Sequence, residues 1–161
     1  SEGISIRPLT LILESLSDHA LEISNRWDLT EKVRIQLSRH IVSKLTQESG
    51  NSIEVFTISP EIEKQIATAW HRDNDKIKIN LPREIIESLA GAIQTAAQKM
   101  RDSGIKPIAL VDQSIRPVIA ELAFDNASDM FVLGRQEAMG AEIDIIGEIS
   151  ADELYAVAQA A

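Results

Sequence analysis

Apolar residues recur at helical spacing in the first third of the chain. In residues 9–16 they stand at positions i, i+3, i+4 and i+7, which places them on one face of a helix. The motif DLTE at residues 28–31 has the form of a capping box, and apolar residues repeat at helical spacing from residue 29 to residue 45. We therefore predict a helical subdomain over residues 1–50, as part of a larger helical subdomain, which ends in the polar stretch 46–51.

Beyond residue 51 the apolar pattern alternates between strand-type runs and helical stripes. Residues 53–58 alternate between apolar and polar side chains, which predicts a strand. Residues 107–111 and 130–133 are short apolar runs, which predicts buried strands. Between the last two runs, Ile115, Val118, Ile119 and Leu122 repeat at helical spacing. Strand, helix and strand within about thirty residues are typical of a right-handed βαβ unit. A further strand is predicted over residues 143–149, and residues 71–78 are interpreted as a polar loop.

These elements predict a mixed α/β fold in which an N-terminal helical piece precedes a small α/β unit. We expect the α/β subdomain to span residues 51–161 and to hold a mostly parallel sheet of about four strands. The longest helix is predicted to begin at Pro82 and to end near Gly104.

The charge balance argues against several classes of partner. The formal net charge is −9 and Lys and Arg form no run, so the surface repels phosphate backbones and no nucleic-acid partner is expected. The chain has no cysteine, which excludes disulfides and thiol chemistry. No apolar stretch approaches the ~20 residues of a transmembrane helix. Because the chain begins with Ser1 rather than Met, we interpret it as a fragment or a processed product.

The residues after the run 107–111 are the strongest candidates for a ligand site. Asp112, Ser114 and Arg116 follow a predicted strand, where α/β proteins often bind ligands, and Arg116 near a helix start could hold an anion. However, the glycines of a phosphate loop and a nucleophile elbow are both absent from the sequence. We therefore interpret Asp112, Ser114, Arg116 and Pro117 as a structural motif of caps and an ion pair.

No catalytic or metal-binding constellation emerges from the other polar residues. The stretch HRDND at residues 71–75 spaces its donors like the start of a calcium loop, but the glycine and the distal Glu of that loop are missing. A solvated loop is the favoured interpretation. We predict no catalytic residue, no bound metal and no cofactor.

The second predicted helix carries a mixture of charges. A solvated face is the default interpretation of such a mixture, and a subunit contact is the sharper one. Trp27 precedes this helix and either packs against it or contacts a partner. We predict subunit or partner contacts at Trp27, Glu31, Arg34 and Arg39, with the three charged residues on an exposed face.

Two stretches of sequence resemble one known family. The first is ISIR at residues 4–7 followed by ILE at residues 12–14. The second is SIRP at residues 114–117, then VL at 132–133 and GEI at 147–149. Their order and intervals resemble the C-terminal cytosolic part of the FlhA/LcrD/InvA family, the export-gate proteins of flagellar and virulence type III secretion systems. The chain departs from the family pattern at Pro8, where an acidic residue is usual, and at residues 134–136.

The resemblance implies a non-enzymatic role in protein export. It implies a parent protein with an N-terminal membrane domain, held at the cytoplasmic face of the bacterial inner membrane, and a cytosolic part of four subdomains arranged as a nonameric ring. The implied partners are copies of the chain in that ring, other export-apparatus proteins and chaperone–substrate complexes, with membrane contact only through the preceding domain. The isolated chain is expected to be a monomer or at most a weak dimer, because the other ring subdomains are absent. The choice between a flagellar and a virulence system stays open.

Two alternatives of other classes also stay open. One is a small α/β ligand-binding or enzymatic domain with a site at the strand ends near Asp112. The other is a stand-alone regulatory adaptor. Upstream hydrophobic spans would favour the export gate over both.

Overall fold

The computed structural model describes residues 26–50, 52–74, 76–127 and 129–154. The predicted helical stripe at residues 9–16 and the ISIR motif at residues 4–7 lie outside these ranges. Among the described residues, every helix is too short or too polar to span a bilayer. The described elements are, in chain order, α1 (Arg26–Gln36), α2 (Ser38–Ser49), β1 (Ile53–Ile58), α3 (Pro60–Ala69), β2 (Trp70–Asp73), β3 (Lys76–Ile79), α4 (Arg83–Asp102), β4 (Ile108–Val111), a 3-10 turn (Gln113–Ile115), α5 (Arg116–Asn126), β5 (Phe131–Gly134) and β6 (Ile143–Ile149).

Four parallel strands form the central sheet in the order β5-β4-β1-β6. Every residue of β4 and β5 is buried, which explains why these strands are continuous apolar runs rather than alternating ones. The sheet and the helices before it confirm the predicted mixed α/β fold. The strands predicted at residues 53–58 and 143–149 and the long helix α4 are also confirmed.

The sheet is covered by helices on both faces, and successive strand residues enter different cores. Phe56 packs with apolar residues of α3, α4 and α5, whereas its neighbour Val55 packs with residues of α2. The helical contribution consists of three buried residues at helical spacing, namely Leu37, which immediately precedes α2, and Ile41 and Leu45 within it. The N-terminal helices and the sheet therefore share a hydrophobic core, and the predicted division into two subdomains near residue 50 stays a prediction.

The predicted capping box at residues 28–31 is wrong. Helix α1 begins at Arg26, so Asp28 lies inside its first turn. The carboxylate of Asp28 binds Arg72 of β2, and that of Glu31 binds Arg116. Charged guanidinium donors make stronger hydrogen bonds to a carboxylate than backbone N–H groups do, which accounts for the exchange of partners. The helical stripe also breaks at Leu37, where ψ is 7°, so that two helices replace the one predicted.

The predicted loop at residues 71–78 is an antiparallel β-hairpin. Strand β2 pairs with β3 over four residue pairs, from Trp70 with Ile79 to Asp73 with Lys76. Asn74 turns the chain with φ of 56°, a left-handed conformation that Asn tolerates better than most residues. The hairpin was missed because its outward positions are all polar or charged, which hides the half-buried alternation of Trp70, Arg72, Ile77 and Ile79.

Candidate functional site

Charged and polar side chains from four parts of the chain meet beside the outer edge of β5. We call this cluster the ionic network; it comprises Glu31, Arg34, Gln113, Arg116 and Glu137. Glu31 and Arg34 are one turn apart on α1 and so face the same way. Gln113 follows β4, Arg116 begins α5, and Glu137 lies three residues after the end of β5. The carboxyl ends of the parallel strands β4 and β5 and the start of α5 therefore lie against α1.

Arg34 and Glu137 form a buried ion pair. The Arg34 Nη2 lies 2.8 Å from the Glu137 Oε2, and the two side chains are 2% and 0% exposed. The same Nη2 donates to the carbonyl oxygen of Val132 at 3.3 Å, and the guanidinium carbon lies 5.4 Å from the centre of the Phe131 ring. Both buried charges thus have partners, as charges removed from water require.

Arg116 and Glu31 form a second pair, which joins α5 to α1. The Arg116 Nε donates to both carboxylate oxygens of Glu31 at 2.9 Å, and Nη2 donates to Oε1 at 2.6 Å. Arg116 is 4% exposed and Glu31 is 13% exposed. The Arg116 Nη1 also reaches the carbonyl oxygen of Val132, at 3.5 Å. This pair is multidentate, a geometry that fixes the orientation of a guanidinium as well as its position.

The two arginines cover the free edge of the sheet. The backbone N–H groups of Phe131 and Arg135 donate to the chain segment that contains β4. Because strand residues alternate in direction, the carbonyl of Val132 points away from β4, and there it accepts from Arg34 and Arg116. An unpaired strand edge is a template for unwanted pairing, and this carbonyl is occupied instead.

Gln113 links the two ion pairs. Its Nε2 donates to Glu31 Oε2 at 3.2 Å and to Glu137 Oε1 at 3.0 Å. Glu137 Oε1 also accepts from the backbone N–H of Gly134 at 3.2 Å. The Gln113 Oε1 is buried without a hydrogen-bond partner and lies against Gly134, where an added Cβ would stand 1.9 Å from it. Only a glycine fits at residue 134 with Gln113 in this position.

The strand end near Asp112 is filled by hydrogen bonds within the chain. The backbone N–H of Asp112 donates to Glu63 Oε2 at 2.7 Å, and Arg135 binds the same carboxylate. The Asp112 Oδ1 accepts from the Ser114 hydroxyl at 2.6 Å and from its backbone N–H at 2.9 Å. These two bonds, the hydroxyl first, lower the pKa of Asp112. Among the described residues, no three carboxylates or histidines gather as a group that could hold a metal ion.

The structure brings together three of the residues singled out from the sequence, namely Glu31, Arg34 and Arg116. The expectation that Arg34 and Glu31 lie on an exposed face is wrong, because the Arg34 side chain is buried against Glu137 and most of the Glu31 side chain is buried against Arg116. Arg39 is exposed on α2, away from the network, and Trp27 lies in α1 with a side chain outside the described part of the structure.

Two further predicted residues shape the start of α5, and two network members were not predicted at all. Asp112 caps the turn by accepting hydrogen bonds from the backbone N–H and the hydroxyl of Ser114, and Pro117 is buried in the first turn of α5. Gln113 and Glu137 were missed. No clear signal in the sequence pointed to Glu137, which follows the polar residues Arg135 and Gln136.

Comparison with known proteins identifies relatives in flagellar and virulence systems. The FHIPEP family model matches residues 1–142. The flagellar biosynthesis protein FlhA of Buchnera aphidicola is 30% identical over 138 residues, which are 84% of this chain and 19% of that protein. Protein MxiA of Shigella flexneri is 28% identical over 136 residues, 84% of this chain and 20% of that protein. The chain therefore spans about a fifth of the length of the curated relatives it matches.

Solved structures share the fold. The CdsV protein of Chlamydia pneumoniae matches with a TM-score of 0.79 at 28% identity, over 92% of this chain and 42% of that one. CdsV in a complex with CdsO matches with a TM-score of 0.77 at 28% identity, over 92% and 43%. The nonameric EscV cytosolic domain of a type III secretion system has the same fold, with a TM-score of 0.74 at 23% identity, over 92% and 43%. The chain belongs to the FHIPEP family and corresponds to a part of the cytosolic region of type III secretion export-gate proteins.

Proposed function

We propose that this chain is a non-enzymatic module of a type III protein-export gate. It acts through contacts with copies of its parent protein and with other export-apparatus proteins, including chaperone–substrate complexes. The observation that carries the proposal is the match to CdsV over 92% of the chain, together with the family match over residues 1–142. The parent protein is proposed to lie at the cytoplasmic face of the bacterial inner membrane and to serve either a flagellar or a virulence system, since relatives of both kinds match.

The ionic network supports a structural rather than a catalytic role. A general base must reach a proton on a bound substrate, but the carboxylates of Glu31 and Glu137 are engaged by arginine and amide donors. At the neighbouring strand end, Glu63 and Asp112 are likewise engaged by backbone and side-chain donors. These groups hold α1, α5 and the sheet in one arrangement, which is what a contact module needs of its surfaces.

Ring assembly is the proposed mode of action of the parent protein. The solved EscV domain that shares this fold is nonameric, and CdsV has been solved with the partner CdsO. We propose the same nonameric arrangement here, with Arg39 and Trp27 as contact residues. Arg34 and Glu31 contribute indirectly, because their pairs with Glu137 and Arg116 fix α1 against the sheet.

Reversing the charge of Arg39 tests the proposed contact. In the whole cytosolic region of the parent protein, Arg39→Glu is expected to lower the fraction in rings by about tenfold, because a rim charge of the wrong sign opposes docking. Arg39 is exposed, so the fold should be retained. The measurement is the mass distribution at micromolar concentration, by light scattering or mass photometry.

Lys64→Glu is the matched control for this variant. Lys64 is an exposed residue of α3, which packs on the opposite face of the sheet from α2. Normal rings are expected from this variant. Rings of normal abundance in Arg39→Glu, or an equal loss of rings in both variants, would show that Arg39 is not part of the contact.

A further inference from the structure

A long groove lies on the other side of the molecule from the ionic network, between α4 and the edge strand β6. We call it the α4–β6 groove; its volume is about 870 Å³. Its α4 wall runs from Glu87 to Ser103, the residue that follows the last residue of α4. At a rise of about 1.5 Å per residue this wall is about 24 Å long, the length of a helix of about four turns.

Small and apolar residues line the middle of the groove, and charged residues line its ends. At the middle of the α4 wall the lining residues are small, with Gly91, Ala92 and Ala96 among them, so another backbone can approach closely there. From the sheet side, Phe56 and Ile146 line the groove, and Ile146 is 45% exposed. Large aliphatic side chains at that exposure in the middle of a strand gain stability when a partner covers them.

The rim of the groove is acidic. Four carboxylates line it, from Glu54, Glu87, Glu148 and Glu153, against the ammonium group of Lys99, and of the four Glu87 is paired with Arg83. An acidic rim around an apolar floor attracts a partner that carries Lys or Arg beside apolar residues, and it repels acidic segments and anionic lipid surfaces.

The outer edge of β6 argues against an added strand. The register between β1 and β6 shifts between Val55 and Phe56, which leaves Ile146 as an extra, bulged residue. Asp144 and Glu148 flank this bulge. Bulges and charges on an edge strand interrupt the hydrogen-bond ladder that an extended peptide would need. A helix satisfies its own backbone groups and needs only the apolar floor and the charged rim.

We propose that the α4–β6 groove binds a basic amphipathic helix from a partner protein. The apolar stripe of this helix lies between α4 and β6, against Ala92, Ala96 and Ile146, and its Lys and Arg residues face the rim carboxylates. The binding mode is that of a helix in a groove, read as anchors at i, i+3, i+4 and i+7. The groove is separate from the proposed ring contact on α2, so an experiment can disprove either proposal without disproving the other.

A model peptide tests the proposal. The probe is a fluorescent helix of about sixteen residues with Leu at the stripe positions and Lys on both flanks, titrated against the 161-residue chain. We expect saturable binding that weakens as salt rises. Thr95→Arg, which places a long cation in the groove, should weaken binding by about tenfold or more. Gln94→Arg is the matched control, since Gln94 is exposed on the same helix outside the groove lining, and its effect should stay within about twofold.

Three companion measurements decide against other occupants. A peptide with Glu in place of Lys should fail to bind, and a peptide with a central proline, which cannot form a continuous helix, should bind at least about tenfold more weakly. Thermal melts should show that both arginine variants are folded. The proposal is overturned if the acidic or the proline peptide binds equally well, or if Thr95→Arg has no effect. It is also overturned if removal of residues 155–161 raises the affinity about tenfold, because the groove would then serve the chain's own end.

Discussion

Glu137 is a buried carboxylate that depends on its hydrogen-bond and charge partners. Its side chain is fully buried, and it accepts hydrogen bonds from Arg34, Gln113 and the backbone of Gly134. A buried ion pair contributes little net stability relative to apolar residues of the same volume. Removal of one partner is costly, however, because the other charge is left buried and uncompensated.

Glu137→Ala is therefore expected to lower the free energy of unfolding by about 3–5 kcal/mol, since it leaves Arg34 buried without its carboxylate. The measurement is urea unfolding at neutral pH. Glu87→Ala is the control, because Glu87 pairs with Arg83 at the surface, where the two side chains are 63% and 87% exposed, and its loss should cost about 0.5 kcal/mol or less. A Glu137 effect as small as the control would show that the network does not fix α1 to the sheet.

The burial of Arg34 also marks a limit of sequence reasoning. Arg34 belongs to a helix with a mixture of charged residues, such as Glu31 and Lys32, and such a mixture indicates a solvated face. Its partner Glu137 lies 103 residues away along the chain. No spacing rule connects two residues at that separation, and the pair exists only because β5 and α1 meet in the fold.

At the scale of elements, the strands that carry continuous or alternating apolar residues could be predicted, and the short polar hairpin could not. β4 and β5 are buried on both faces, so each is a continuous apolar run in the sequence. In the hairpin of β2 and β3, alternate residues are half-buried and the others are exposed. The exposed lysines and His71 give this hairpin the composition of a loop. The break at Leu37 was hidden because the apolar spacing continues through it, from α1 onto the sheet-facing side of α2.

The two edges of the sheet are protected from further strand pairing by different means. The outer edge of β5 is covered by Arg34 and Arg116, whose guanidinium groups bind the carbonyl of Val132. The β6 edge instead carries the bulge at Ile146 between two acidic residues. One edge is closed by tertiary contacts and the other is protected by local irregularity, which leaves the α4–β6 groove available to a helix.

The turn between β4 and α5 carries a pH-dependent cap. Hydrogen bonds from the Ser114 hydroxyl and backbone lower the pKa of Asp112, so this carboxylate contributes stability above its ordinary pKa, and that stability is lost as pH falls through the lowered value. Ser114→Ala removes the hydroxyl donor and keeps the backbone donor. The pKa of Asp112 should therefore rise toward its ordinary value, so this carboxylate should contribute less stability at neutral pH and less of it should be lost on acidification.

The check on this prediction is an NMR titration of the side-chain carboxyl carbons in both proteins. Asp129 is the internal reference, because its pKa is lowered by a different donor, Arg101. An unchanged pKa at Asp112, or an equal change at Asp129, would contradict the assignment of the shift to the Ser114 hydroxyl.

At the scale of the whole molecule, family and fold were accessible from the sequence and the contact surfaces were not. The motif SIRP at residues 114–117 supported the resemblance, and its Arg116 holds α5 to α1 through Glu31. The same motif says little of which outer surface meets a neighbour, because Arg116 and Pro117 are buried. Arg39 was named from the sequence and stays a predicted contact, whereas the α4–β6 groove was recognised only once burial and the strand register were known.

Export itself provides the most direct test of the proposed function. In a bacterium that carries the parent gene, an in-frame deletion of residues 26–154 should abolish secretion of flagellar or virulence cargo, measured in the culture supernatant. Secretion should return with the wild-type gene and with Lys64→Glu, while immunoblots show comparable levels of the parent protein. Secretion at the wild-type level from a strain whose shortened parent protein is stably present would contradict the assignment of this chain to the export gate.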